Sequence, residues 1–406
     1  MATATRERLA IHGGDPVRRR PWPTWPVWET DDAQAVADVI SSGQWFSGSG
    51  AKNREFAEFY AGLHDARFAV PCCNGTQALE LALRAAGVQA GDEVITSPYT
   101  FIATASAIVQ VNAVPIFADV EPGSLNLDPV AAEAAITERT RAIVAVHVAG
   151  CPANLDAFTL LAERRGLVLI EDAAQAHAAQ WNGRGVGAIG RAGTFSFQAS
   201  KNLNAGEGGI VLTNDPETYE RAWSLANCGR VRDGGWYEHR MLSGNYRLTE
   251  FQAALLLSQG KRLLEQTARR NDNALYLASQ LAAVPGVRPQ ARDPRITRHA
   301  YHLFIFRYDS REFGGLTRDE FLNALRAEGV PCSPGYSPLY RSPAFKIDTG
   351  THPFPAHVDY ASLHLPEVEQ ACAEAVWLTQ NTLLGYRRDM DEIVTAVRKI
   401  HSAMQQ

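Results

Sequence analysis

The chain is 406 residues long, 46% hydrophobic and 20% charged, with a formal net charge of -5; this allows a sizeable core divided between two domains. Its basic residues are scattered rather than clustered, which argues against a nucleic-acid surface. No apolar run approaches the ~18 residues of a membrane span, and residues 1–8 lack the apolar centre of a secretory signal, so a cytoplasmic protein with no membrane contact is expected.

Residues 1–31 form a predicted arm. Arg18-Arg19-Arg20 precedes Pro21-Trp22-Pro23-Thr24-Trp25-Pro26-Val27-Trp28. Prolines this close prevent helix, and three tryptophans carry too much apolar surface to leave in water. The arm is therefore expected to pack on the body or on a partner subunit. A short amphipathic helix over 32–40 and a flexible glycine-bearing loop over 43–50 follow. A strand over 67–71 then runs into Cys72-Cys73-Asn74-Gly75-Thr76 and a helix over 77–86, ended by Gly87. Gly75 lets the backbone approach closely, and the free N–H groups of a first helical turn suit an anion. Thr76 acting merely as the helix cap accounts for the same residues equally well. Cys72 and Cys73 are vicinal, not a C-x-x-C, and with Cys151, Cys228, Cys332 and Cys372 they show no metal-ligand spacing. Reduced thiols and no metal site are expected.

Further strands are expected over 93–97, 114–120 and 142–148, with Pro98-Tyr99-Thr100-Phe101 opening a helix rich in Ala and Ile. An aromatic just past a strand end can stack on a flat ring, although core filling is the commoner fate of a Phe. The alternation of apolar strands and helices to about residue 215 implies a mainly parallel sheet covered on both faces.

Within that pattern, the run Leu167-Val168-Leu169-Ile170 leads into Glu171-Asp172-Ala173-Ala174-Gln175, which sets a carboxylate at a strand end. A second β-like run, Gly193-Thr194-Phe195-Ser196-Phe197-Gln198, precedes Lys201 and the turn Ala205-Gly206-Glu207-Gly208-Gly209. Alone, such an Asp is more often a helix N-cap and such a Lys a solvated charge. Together they meet the needs of pyridoxal phosphate (PLP), which takes a lysine as a Schiff base and needs an acid to keep its ring nitrogen protonated. Beyond residue 215 the pattern turns helical. A segment from Leu248 leads into a long charged helix over 261–281, then a strand over 301–308, a helix over 317–328, a proline-rich loop over 331–343 and a last helix over 389–404.

The ordered motifs Asn74-Gly75-Thr76, Pro98-Tyr99-Thr100-Phe101, Glu171-Asp172-Ala173-Ala174-Gln175, Phe195-Ser196-Phe197 with Lys201-Asn202, Gly206-Glu207-Gly208-Gly209 and Asn245-Tyr246-Arg247-Leu248-Thr249-Glu250 span most of the chain. By them the chain resembles the fold-type I PLP-dependent nucleotide-sugar and aminocyclitol aminotransferases. The resemblance implies an α/β fold: a large domain over 32–260 with a mainly parallel seven-stranded sheet, and an interdomain helix with a smaller α+β domain over 261–406. It implies that Lys201 binds the cofactor and shuttles a proton, that Asp172 pairs with the ring nitrogen, and that Gln175 bonds the ring oxygen while Phe101 stacks on the ring. Gly75, Thr76 and Ser196 would hold the phosphate, with Asn245 reaching it from the other subunit of a homodimer, and Arg247 would contact substrate. The Trp-Pro arm, Cys228-Gly229-Arg230 and Pro338-Leu339-Tyr340 resemble enzymes aminating scyllo-inosose or 2-deoxy-scyllo-inosose, and equally 3-amino-5-hydroxybenzoate synthases; Arg230 and Tyr340 thereby join the expected substrate residues. Tyr340 stands where many nucleotide-sugar members carry His. The implied reaction moves an amino group from L-glutamine or L-glutamate to a keto-cyclitol or keto-sugar. A PLP-dependent sugar dehydratase would carry histidine in place of Lys201, and a non-catalytic PLP-binding protein would have lost the Lys, the Asp or the phosphate loop.

Overall fold

The computed structural model describes residues 8–345 and 358–405. Strands β1 (Phe68–Cys72), β2 (Glu93–Thr96), β3 (Val114–Phe117), β4 (Thr140–Val146), β5 (Val168–Asp172), β6 (Ala192–Ser196) and β7 (Gly209–Thr213) form one sheet in the order β1-β7-β6-β5-β4-β2-β3. β7 runs antiparallel to both neighbours and the other pairs are parallel. The connection from β6 to β7 contains no helix, so the chain folds back antiparallel instead of crossing over.

Successive side chains along a strand serve opposite faces, and the core divides accordingly. Val94, Val144, Ile170 and Val211 pack with Leu79, Ala82 and Ile108 on one face. Their neighbours Ile95, Ile143 and Leu169 pack with Phe158 and Leu161 on the other, and Ile210 joins Phe195 and Leu256 there. Helices on both faces explain why the central strands are apolar throughout rather than alternating.

A single helix, Glu250–Leu281, runs 32 residues. Thr249 caps it and Gln252 completes a capping box. Residue 260, the expected domain boundary, falls inside this helix. Gly260 does not break it; a Cβ there would lie 2.6 Å from the Phe59 ring, so the glycine admits the helix Lys52–Leu63 against it. Beyond it, β8 (Val287–Pro289), β9 (Leu303–Tyr308) and β10 (Ala375–Thr379) form an antiparallel sheet. Helices Arg318–Ala327 and Arg387–Met404 cover it, around Phe304, Phe306, Phe321, Ile393 and Val397.

The arm, of which residues 1–7 lie outside the described residues, packs on its own chain. Arg18 stacks 3.8 Å above the Trp22 ring and pairs with Asp389 at 2.7 Å. Trp22 donates its indole N–H to the Gly329 carbonyl and Trp25 to that of Ala199. Trp28 stays 72% exposed. No helix among the described residues is long and apolar enough to cross a membrane.

Candidate active site

A cavity of about 790 Å³ opens at the carboxyl ends of the parallel strands, with β9 and β10 of the smaller sheet contributing Leu303 and Trp377 to its wall. Open α/β sheets leave their ligand crevice at this edge, and the volume suits a small molecule.

Asp172 ends β5 with its carboxylate turned into the cavity. Oδ2 accepts the Thr104 hydroxyl at 2.7 Å and Oδ1 the Ala174 N–H at 3.2 Å. Thr104 in turn shares a 2.9 Å hydrogen bond with Thr100. Strand alternation turns the adjacent Glu171 to the opposite face. There its carboxylate takes the N–H groups of Gly187, Ile189 and Gly190 and lies 3.1 Å from His147. Burial opposes ionisation of Glu171, but His147 and these amides outweigh it and hold its pKa below the usual carboxylate value. Glu171 thus ties down the segment between β5 and β6, while Asp172 faces the cavity.

Lys201 lies on the turn after β6. That turn is tied back by Phe197 N–H to Gly208 O at 2.8 Å and Ala205 N–H to Phe197 O at 2.9 Å. Burial pushes the Lys201 ammonium below the usual lysine pKa, and the Asp172 carboxylate offsets part of that. Among the described residues the amine has no hydrogen-bond partner. A partly buried amine with a depressed pKa, facing a cavity, is a nucleophile held ready for a carbonyl.

At the other end, the helix Gly75–Ala85 points its first turn at the cavity. Asn74, not Thr76, is its cap, its side-chain oxygen accepting the Gln77 N–H at 2.9 Å. The Gly75 and Thr76 amides are left without a partner among the described residues. Ser196, last residue of β6, stands opposite, and a Cβ on Gly75 would lie 2.6 Å from the Ser196 Cβ. Glycine alone lets the helix start approach so closely.

Phe101, 60% exposed, flanks the same cavity. Gln175 also lines it, with both ends of its amide engaged: Oε1 accepts the Ala149 N–H at 2.6 Å and Nε2 donates to the Tyr336 hydroxyl at 3.0 Å. Tyr336 stands perpendicular to Trp377, ring centroids 4.5 Å apart, and Trp377 donates to the Tyr99 hydroxyl at 3.1 Å. Thr104, Tyr336, Trp377 and His302 were not singled out from sequence. Thr104 sits in the first turn of the helix Ala103–Gln110, just past the aromatic-bearing segment that marks the strand end; the other three reach the cavity only through the second sheet and its loops.

Asn245, Arg247, Arg230 and Tyr340 are not brought into this cavity by their own chain. Asn245 bridges Asn227, and Arg230 bridges His239. Arg247 lies over the Phe46 ring at 5.2 Å and reaches the Cys228 sulfur at 3.7 Å. Tyr340, expected at the substrate, is buried instead, beside Phe117 and Tyr360, because its hydroxyl finds the Glu369 carboxylate at 2.8 Å. Among the described residues no cluster of His, Cys, Asp or Glu could hold a metal ion, and the six cysteines are unpaired.

The donor set fits PLP. Two unpartnered first-turn amides beside a serine hydroxyl suit a phosphate, an unpartnered, partly buried amine suits a carbonyl, and a fixed carboxylate on the same cavity suits a protonated ring nitrogen. The model of the DegT/DnrJ/EryC1/StrS aminotransferase family matches residues 26–398. An L-glutamine:2-deoxy-scyllo-inosose aminotransferase from Streptoalloteichus tenebrarius is 40% identical over 413 residues, covering 97% of each chain. A protein of the same name from Streptomyces fradiae is 40% identical over 412 residues, again covering 97% of each. The crystal structure of 3-amino-5-hydroxybenzoic acid synthase superposes with a TM-score of 0.87 at 35% identity, covering 95% of this chain and 99% of that one.

Proposed function

The chain belongs to the DegT/DnrJ/EryC1/StrS aminotransferase family and is a PLP-dependent transaminase; from that premise we propose that it moves the amino group of L-glutamine to a keto-cyclitol of the scyllo-inosose type. The observation that carries the chemistry is the partly buried, unpartnered Lys201 amine in one cavity with the Asp172 carboxylate. The choice of substrates rests on the relatives that match over nearly their whole length.

When bound, PLP supplies the electron sink for the carbanion left when an amino acid loses its α-proton. Lys201 holds the cofactor in the resting enzyme. Its free Nζ would take the donor's α-proton and, in the second half-reaction, return a proton to the acceptor carbon. A base so positioned contributes roughly 100- to 10,000-fold. Asp172 holds a proton at the ring nitrogen, in an orientation fixed by Thr104 and Ala174. The Gly75 and Thr76 amides and the Ser196 hydroxyl would hold the phosphate, and Phe101 and Gln175, on the same cavity, would contact the ring.

The working unit in this reading is a cytoplasmic homodimer. Trp236, Tyr237 and Leu242 are 82%, 78% and 96% exposed on the segment before Asn245, more apolar surface than a lone subunit leaves in water. A symmetric partner would cover them and bring Asn245, Arg247 and Arg230 towards the neighbouring cavity.

The test is to supply the holoenzyme with L-glutamine or L-glutamate and a panel of keto-cyclitols and nucleotide-linked keto-sugars, and to detect aminated product by mass. Amination of a keto-cyclitol with L-glutamine is expected. Amination of nucleotide-linked sugars alone would overturn the acceptor assignment.

A further inference from the structure

His302 lines the cavity and takes no part in the scheme above. It immediately precedes β9 and follows Tyr301, whose φ of +47° is a left-handed conformation costly for a bulky residue. The surroundings hold that backbone in place. Ala300 N–H donates to Gly150 O at 3.1 Å. Asn202 Nδ2 donates to Ala300 O at 2.8 Å. Tyr301 N–H donates to His299 Nδ1 at 2.9 Å, and those two rings stack at 3.7 Å. Strain sustained by specific partners at a cavity wall is typical of a position that serves a ligand.

Asn202, the residue after Lys201, also sets the protonation of the ring. Its Nδ2 is committed to the Ala300 carbonyl, so the atom 3.3 Å from His302 Nδ1 is the acceptor Oδ1. Nδ1 therefore carries the proton. Burial, and then the charges of Lys201, His177 and Arg270, push the ring's pKa well below its ordinary value, so it stays neutral. The lone pair is left on Nε2, and none of the described residues donates to it. An acceptor that no protein group satisfies, on a wall of the reactive cavity, is open to a donor from the ligand.

Resting on the transaminase reading, we propose that His302 Nε2 positions the bound substrate by accepting a hydrogen bond from a neutral donor on it: a ring hydroxyl of the polyol acceptor or the side-chain amide of the amino donor. Such an acceptor discriminates sharply, because a substrate lacking the donor leaves it buried and unpaired.

His302→Phe keeps a ring in place and removes Nε2, and His302→Asn shortens the side chain out of reach and repeats the comparison should the Phe variant not fold. In the holoenzyme, each half-reaction is followed separately through the cofactor's absorbance. The expected result is a rise in KM of about tenfold in one half-reaction, with kcat changed less than threefold and the other half-reaction unmoved. The half-reaction affected identifies the source: the amino donor if it is the glutamine half, the ring hydroxyl if it is the acceptor half. In the latter case wild type also discriminates against an acceptor lacking that hydroxyl, and the variants do not. Unchanged KM in both halves, or a loss of kcat in both together, would overturn the proposal, since a merely structural residue behaves so. Failure of the transaminase reading itself is seen earlier, as wild type that transfers no amino group at all.

Discussion

Replacing Gly75 by alanine perturbs the phosphate end of the cavity by a known amount. The new Cβ lies 2.6 Å from Ser196 Cβ and 3.2 Å from its Cα and Oγ. Ordinary contact between carbons lies near ~3.5–4.0 Å, so the helix start and the end of β6 must separate by roughly 1 Å. Overpacking of that size costs about 1–3 kcal/mol of stability. It also displaces the Gly75 and Thr76 amides from the serine hydroxyl with which they would share a phosphate, and a charge-assisted hydrogen bond contributes about 1.5–3 kcal/mol. The expected outcome is PLP binding weakened by about 10- to 100-fold, measured by titrating apoenzyme with PLP, with denaturant unfolding run in parallel. In a Ser196→Gly background the clashing Cβ is gone, so the stability cost of Gly75→Ala should shrink. PLP affinity within threefold of wild type, together with a stability cost unchanged in that background, would show that the close approach of Gly75 to Ser196 does not shape the phosphate site.

Asp172→Asn should lower turnover more than tenfold, a loss above ~1.4 kcal/mol, while circular dichroism shows the fold kept. The Thr104 hydroxyl, already bonded to Thr100, can turn to accept from the new amide. Retention of more than a tenth of turnover would contradict the role given to Asp172. Mixing Lys201→Ala with Asn245→Ala subunits under exchange should restore activity towards about half, because one site of each heterodimer is intact when sites are shared. Exchange without recovery, with each single variant inactive, would place Asn245 in its own chain's site. His64 donates Nδ1–H to Val186 O and accepts the Ala178 N–H at Nε2, and burial lowers its pKa from 6.5 to about 4. The unfolded chain therefore protonates first: its contribution is complete above pH 6.5 and is lost as pH falls towards 4, by about 3 kcal/mol. A stability difference between wild type and His64→Gln that is flat between pH 7 and 4.5 would show otherwise.

The sheet was legible in the sequence because strands buried on both faces are continuous apolar runs, with Asp172 closing one of them and Lys201 on the turn after another. The phosphate turn was legible as a glycine before a helix, but its cap was ambiguous, since Asn74 and Thr76 can both supply a capping oxygen. β10 was missed: Val376-Trp377-Leu378 is a short apolar run directly after the helix Pro366–Glu374, with no turn residue between to announce a strand. Trp377 and Tyr336 consequently had no visible route to the site. Tyr340 was placed at the substrate by likeness of motif, and nothing local in the chain indicates that Glu369, 29 residues on, takes its hydroxyl. The sequence leads one to expect cover for the arm's tryptophans; packing alone shows that Trp22 and Trp25 find it on their own chain while Trp28 stays exposed.

The central claim is that Lys201 is the residue that carries the cofactor. Reducing the holoenzyme with borohydride and mapping the modified peptide tests it directly. A pyridoxyl label on Lys201 is expected, at a stoichiometry approaching one per chain, abolished by addition of L-glutamine before reduction. A label on Lys52, Lys261, Lys346 or Lys399 instead, with Lys201 recovered unmodified, would contradict it.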